Sequence, residues 1–195
     1  MKPSTMDSLP KGIDPDTTES TSKILNRIEG GFTIELLRSL GSRDVKPLMQ
    51  ISQSLVASFG LNLLATRKDI LNYFNPPSTH PFIARFQGEP IGFIIGAPLE
   101  SFSEIKWTSI DENLGEENTV YTYAFGVIPS FQGKGIAKEL KKTYLWWSKD
   151  RGYKYITGCV REGISSQMGG DVSVLSKFDN WNDTGITFEY YRRTL

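Results

Sequence analysis

Residues 31–40 read GFTIELLRSL, in which Phe32, Ile34 and Leu36 fall on one face, and this alternation predicts a strand. Steps of three and four follow. Asp44 is placed to cap a helix whose stripe is Val45, Leu48, Met49, Leu55, Val56 and Phe59, with Ser52 as a gap. Thr66 and Asp69 have capping-box spacing and open a short helix, TRKDILNYF, that stops before Asn75-Pro76-Pro77. FIARFQ and IGFIIGA flank a Gly-containing turn and predict a hairpin. A polar loop covers about 98–118, and TVYTYAFGV predicts the next strand. From Gly135 to Arg151 the helical spacing returns, with Ile136, Ala137, Leu140, Tyr144 and Trp147 inward and Gly152 as the C-terminal cap. YKYITGCV is a strand, VSVLSKF is expected to be a short helix, and GITFEYYRR a final strand.

These elements predict an α+β fold with helices on both faces of a central, mostly antiparallel sheet. Residues 119–160 form its one parallel strand–helix–strand unit, a right-handed crossover. Residues 1–29 are rich in Ser, Thr, Pro and Asp and poor in large apolar side chains. Such a composition cannot offset the entropy of ordering, so a flexible tail is expected there and a single domain over 30–195.

Composition narrows the class. The 22 basic and 22 acidic residues cancel, and the pI is about 6.6, which argues against nucleic acid or an anionic membrane as partner. No apolar run is long enough to span a bilayer, and the N-terminus lacks the apolar core of a secretory signal. The single cysteine, Cys159, excludes an internal disulfide and suits a reducing cytoplasm; inside a strand pattern it reads as a small core residue. The oligomeric state is not legible, and a homodimer stays open.

The chemistry concentrates between the strand ending at Val127 and the helix that follows. Gln132, Gly133, Lys134 and Gly135 stand where the first helical N–H groups lie unpaired, a ready site for an anion. Glycines let a phosphate approach the backbone, and Lys134, Lys138, Lys141 and Lys142 add positive charge. A nucleotide P-loop would need Ser or Thr after the lysine, where Gly135 stands. A dinucleotide fingerprint would need a third glycine, where Lys138 stands.

The stretch FGVIPSFQGKGIA resembles motif A of the GNAT superfamily of acyl-CoA-dependent N-acyltransferases, written Gln/Arg-x-x-Gly-x-Gly/Ala. Gln132, Gly135 and Ala137 fill its positions, and Gly88 and Gly92 match the G-x-x-x-G turn between two earlier strands. The resemblance implies acetyl-CoA as acyl donor, an amine acceptor and no metal. Phe125, Gly126 and Val127 would face the pantetheine arm, and Gln132, Gly133, Lys134, Gly135, Ile136 and Ala137 would wrap the pyrophosphate. The sheet would splay beyond this strand to admit the thioester, with the Val127 N–H receiving the oxyanion.

The proton-transfer groups are less defined. Tyr121 stands where several relatives carry Glu, with Tyr123 on the same face; both also read as core aromatics. Leu175 falls near the usual acid tyrosine, and only Ser165 and Ser166 lie where an Asn is common, so Tyr190 and Tyr191 are the substitutes. His80, the only histidine, reads as a solvent-facing loop residue. Six acidic residues between Glu100 and Glu117 stand against Lys106 alone, which suits either a solvated loop or attraction of a cationic amine. The missing Glu and Tyr leave a second reading, a non-catalytic acyl-CoA sensor or assembly module.

Overall fold

The computed structural model describes residues 18–59, 66–75, 77, 79–181 and 184–195, and the side chains of 56–59 are not part of that description. The expected tail over 1–17 therefore lies outside the described residues, as do the side chains of the stripe positions Val56 and Phe59. Eight strands form one sheet: β1 (Thr21–Ile28), β2 (Phe32–Ser39), β3 (His80–Phe86), β4 (Glu89–Pro98), β5 (Thr119–Val127), β6 (Tyr155–Arg161), β7 (Val172–Phe178) and β8 (Phe188–Thr194). Their order is β1-β2-β3-β4-β5-β6-β8-β7, and only β5 and β6 run parallel. Helices α1 (Ser42–Phe59) and α2 (Arg67–Tyr73) follow β2, and α3 (Ile136–Asp150) joins β5 to β6.

The central strands are apolar on both sides because both sides are covered. Ile83, Phe93 and Ile95 pack with Val45, Leu48 and Ile51 of α1 and Ile70 of α2. Their neighbours Phe82, Ile94 and Val120 pack with Ile136, Leu140, Tyr144 and Trp147 of α3. The period of two within each strand thus divides the residues between the two faces. The capping box at Thr66 and Asp69 forms as expected. The β3–β4 turn puts Gln87 and Gly88 at φ 51 and 86°, the two positive angles that match a tight hairpin to strand twist.

Four expectations need correction. The sheet begins before Gly30: β1 pairs with β2 through a turn containing Gly30 and Gly31. TSKILNRI is an edge strand held by polar contacts as much as by burial, so its composition reads as a tail. Asp44 lies within the first turn of α1, not at its cap, and its carboxylate faces Arg85. VSVLSKF forms β7 and not a helix; it pairs with β8, with an irregularity between Val174 and Ser176. His80 opens β3 and packs its ring on Trp147 at 4.9 Å, rather than facing solvent from a loop.

The buried charges at one end of the sheet tie α1 to β2 and β3. Arg85 donates to Glu35 at 3.0 Å and to both oxygens of Asp44, and these side chains are 11, 12 and 6 % exposed. Ser20 and Ser22 donate to Asp44 and Glu35, each at 2.6 Å, which fastens the N-terminal edge to the same cluster. Arg85→Ala would leave two buried carboxylates without their cation. We expect a loss of about 3–5 kcal/mol of stability in urea unfolding; a loss indistinguishable from that of a surface substitution would contradict this role.

Candidate functional site

The site begins with a bulge. Ile95 pairs with Ala124 and Gly96 with Thr122, so Tyr123 is an extra residue in β5 with no partner on β4. A bulge bends and twists the strand that carries it. On the other edge of β5, pairing with β6 covers only Thr119 to Thr122, opposite Tyr155 to Gly158. Beyond that rung β6 stays with β8 up to Arg161, while β5 stays with β4 up to Val127. The two strands therefore separate, and the sheet opens between Tyr123–Val127 and Cys159–Arg161.

Backbone groups face this opening. Ile128 N–H donates to Ile91 O at 2.9 Å, on the β4 side. Alternation along the strand turns the N–H and C=O of Val127 to the opposite edge. The Gln132 side chain agrees, since its Nε2 donates to Val127 O at 3.0 Å. Phe125 is 38 % exposed on the α3 side, whereas Gly126 lies beneath α1, where a Cβ would come within 2.8 Å of Leu55.

The turn into α3 adjoins the same strand end. Pro129–Phe131 form a single 3-10 turn, and Gly133 and Gly135 follow at φ 75 and 81°. These angles favour glycine, and a Cβ at either position would meet nothing within 4 Å. No side chain caps the helix, so its first N–H groups point outward from an exposed turn. Lys134 Nζ lies 4.6 Å from the centre of the Phe131 ring, and Lys138 and Lys142 are exposed beyond it. Burial, together with nearby Arg193, lowers the Lys141 pKa.

The three tyrosines do not converge. Tyr121 is buried on the face away from α3, accepts from Trp107 Nε1 at 3.0 Å and packs with Cys159. Tyr190 is fully buried on that face and donates to Asp111 at 2.8 Å. Tyr191 is the next residue of β8 and so points to the α3 side, where an added Cβ on Gly158 would come 3.4 Å from its ring. Burial raises the pKa of all three, that of Tyr191 to about 12. Tyr123 stacks on Tyr73 with ring centres 4.0 Å apart. Leu175 lies on edge strand β7, and Ser165 donates to buried Glu189.

The acidic loop is partly neutralised from within. Asp111, whose side chain is 0 % exposed, receives Tyr190 and Arg192, and Arg192 also meets Glu112 at 2.6 Å. Glu100 accepts the N–H groups of Gly115 and Glu117. Sequence reasoning missed this anchoring and the bulge at Tyr123. Leu99, Phe102, Ile105, Trp107 and Leu114, spaced through a loop read as polar, were the available signs that it docks on the sheet.

With this geometry in place, comparison identifies the class. The profile of the Acetyltransferase (GNAT) family matches residues 48–165, and the chain belongs to that family. Similar solved structures include Arabidopsis thaliana NAA60 in complex with a bisubstrate analogue, with a TM-score of 0.62, 16 % identity, and 84 % of this chain and 99 % of that one covered. Ard1 from Thermoplasma volcanium gives 0.60 and 16 %, covering 85 and 98 % of the two chains. A GNAT family acetyltransferase from Elizabethkingia anophelis with acetyl-CoA bound gives 0.55 and 16 %, covering 86 and 100 %. No curated protein matches the sequence significantly. Among the described residues, no helix is long and apolar enough to cross a membrane.

The buried phenols set an alkaline limit. Tyr191 is protonated in the fold up to a pKa of about 12, against an ordinary 10.0. The folded pKa is the higher one, so its stabilising effect is fully present below pH 10 and declines as pH rises from 10 to about 12. Titration by phenolate absorbance should show these tyrosines ionising together with unfolding. Independent ionisation near pH 10 in the intact fold would contradict their burial.

Proposed function

We propose that this acetyltransferase moves an acetyl group from acetyl-CoA to a primary amine by direct attack within a ternary complex. The observation that carries the proposal is the coincidence of three features at one strand end. The β5–β6 pairing stops at Thr122, the Val127 N–H turns toward the opening, and the uncapped start of α3 lies beside it.

In this reading Gly133, Lys134, Gly135, Ile136 and Ala137 present N–H groups to the pyrophosphate. Phe125, Gly126 and Val127 border the pantetheine arm. Gln132 acts indirectly, by holding the turn against Val127. The amine nitrogen attacks the thioester carbonyl carbon, and its oxygen takes negative charge opposite the Val127 N–H. Collapse breaks the C–S bond, the thiolate leaves, and the amine proton is lost to water. Positioning two reactants supplies most of the rate, which suits a site without a carboxylate base on β5.

Of the tyrosines, Tyr121 is best placed to return a proton to the thiolate. It stands one rung before the strands part, and its hydroxyl accepts from Trp107 Nε1 and also meets the Cys159 thiol. Tyr190 is committed to Asp111, and Tyr191 lies on the α3 side. The acceptor is a primary amine of a small molecule or a peptide. We place its action in the cytoplasm, a reducing compartment that the single cysteine, Cys159, suits.

The committed state of Tyr190 also supports the alternative of a sensor that binds acetyl-CoA without turnover. Calorimetric titration with acetyl-CoA, followed by thiol release on an amine panel, separates the two. Binding with release is the expected outcome; binding without release would favour the sensor. Gly135→Asp would set an anion against the diphosphate at a left-handed φ that strains any side chain, so Gly135→Ala is the control. The Asp variant should lose binding far beyond the Ala variant, while both keep the parent circular dichroism. A folded Asp variant that bound like the parent would overturn the assignment of the turn.

A further inference from the structure

At the opposite end of α3, about 22 Å from its start, lies a cavity of about 580 Å³. Leu36, Pro77 and Trp147 give it apolar walls, and His80, Glu117, Arg151 and Tyr153 give it polar ones. None of these residues belongs to the opening between β5 and β6.

The charges here are opposite and unspent. The Arg151 guanidinium lies 4.4 Å from the centre of the Trp147 ring. Neither Arg151 nor Glu117 makes an ion pair among the described residues, although both line the same cavity. Glu117 is held at φ 51°, an unusual angle for a residue with a side chain, by donation of its N–H to Glu100 Oε1 at 3.0 Å. Two polar atoms nearby are buried without a partner: His80 Nε2 and the second oxygen of Glu100. The carboxylate of Glu100 is within electrostatic reach of Tyr153, whose pKa is raised first by burial and then by Glu100. Burial, and then Arg151, lower the His80 pKa, which leaves the imidazole neutral at neutral pH. A neutral ring offers one donor and one acceptor.

Arg151 and Glu117, exposed groups of opposite sign at the mouth of a cavity with an apolar wall, match a small zwitterion with an apolar substituent. We propose that this cavity is a second ligand site, one that takes an apolar α-amino acid. The carboxylate meets Arg151, which suits a planar two-oxygen partner. The ammonium meets Glu117, and the side chain lies against Leu36, Pro77 and Trp147.

His80 is the only histidine in the chain, so its imidazole NMR signals report this site without overlap. Titrating the full-length protein with L-leucine, L-methionine and L-phenylalanine, without acetyl-CoA, should give a saturable shift with at least one of them. Leucinamide lacks the carboxylate and isocaproate lacks the ammonium; each should bind roughly tenfold or more weakly than leucine. Arg151→Gln and Glu117→Gln, both at exposed positions, should weaken amino-acid binding while keeping the circular dichroism. No saturable shift with any of the three amino acids would overturn the proposal. So would equal binding of isocaproate and leucine, which would mark a site for anions alone. Neither result bears on acetyl-CoA, which is read by a different titration at the other end of α3.

Discussion

One extra residue in β5 governs the architecture of the candidate site. With Tyr123 unpaired, the strand bends as it runs along β4, and it cannot follow β6 beyond Thr122. The bulge also resets the alternation of side chains. Tyr123 and Ala124 both join the α1–α2 side, which leaves Phe125 and Val127 toward α3. The opening in the sheet, the outward Val127 N–H and the exposed Phe125 are therefore consequences of one local irregularity. The hydrogen bond from Gln132 to Val127 O then sets the glycine turn against the same strand end.

The surrounding packing keeps this opening rigid. Tyr144 of α3 contacts Thr122 hydroxyl to hydroxyl at 3.0 Å, at the last paired rung. On the other face Trp107 reaches Tyr121, and Asp111 joins Tyr190 to Arg192, so the loop between β4 and β5 is docked on the sheet. Contacts on two faces, made to β5 and β8, thus hold the point of separation. Such support is what a reaction that depends on positioning requires.

Much of this was legible in the sequence, and the remainder was not for identifiable reasons. The apolar periodicity of β3, β4, β5 and α3 and the glycines after Phe131 located the sheet, the crossover and the turn. Edge strands escaped notice, because β1 and β7 bury little and pair through backbone that any sequence supplies. VSVLSKF carries β-branched residues, yet its short run suited a helix equally well. The bulge left no mark in TVYTYAFGV, since alternation there is blurred by aromatics on both faces. Asp111 looked like one charge in an acidic loop, and its burial depends on Tyr190 and Arg192, about eighty residues away in the chain. His80 gave no sign of its contact with Trp147 for the same reason: both partners are set by tertiary structure.

The central claim is that the opening between β5 and β6 and the start of α3 form one acyl-CoA site. Backbone amide hydrogen exchange, with and without acetyl-CoA, addresses it directly. The account predicts new protection at Gly133–Ala137 and at Phe125 and Val127, with little change at the far end of α3. Protection confined to other parts of the chain, or none at the glycine turn while the ligand is bound, would contradict it.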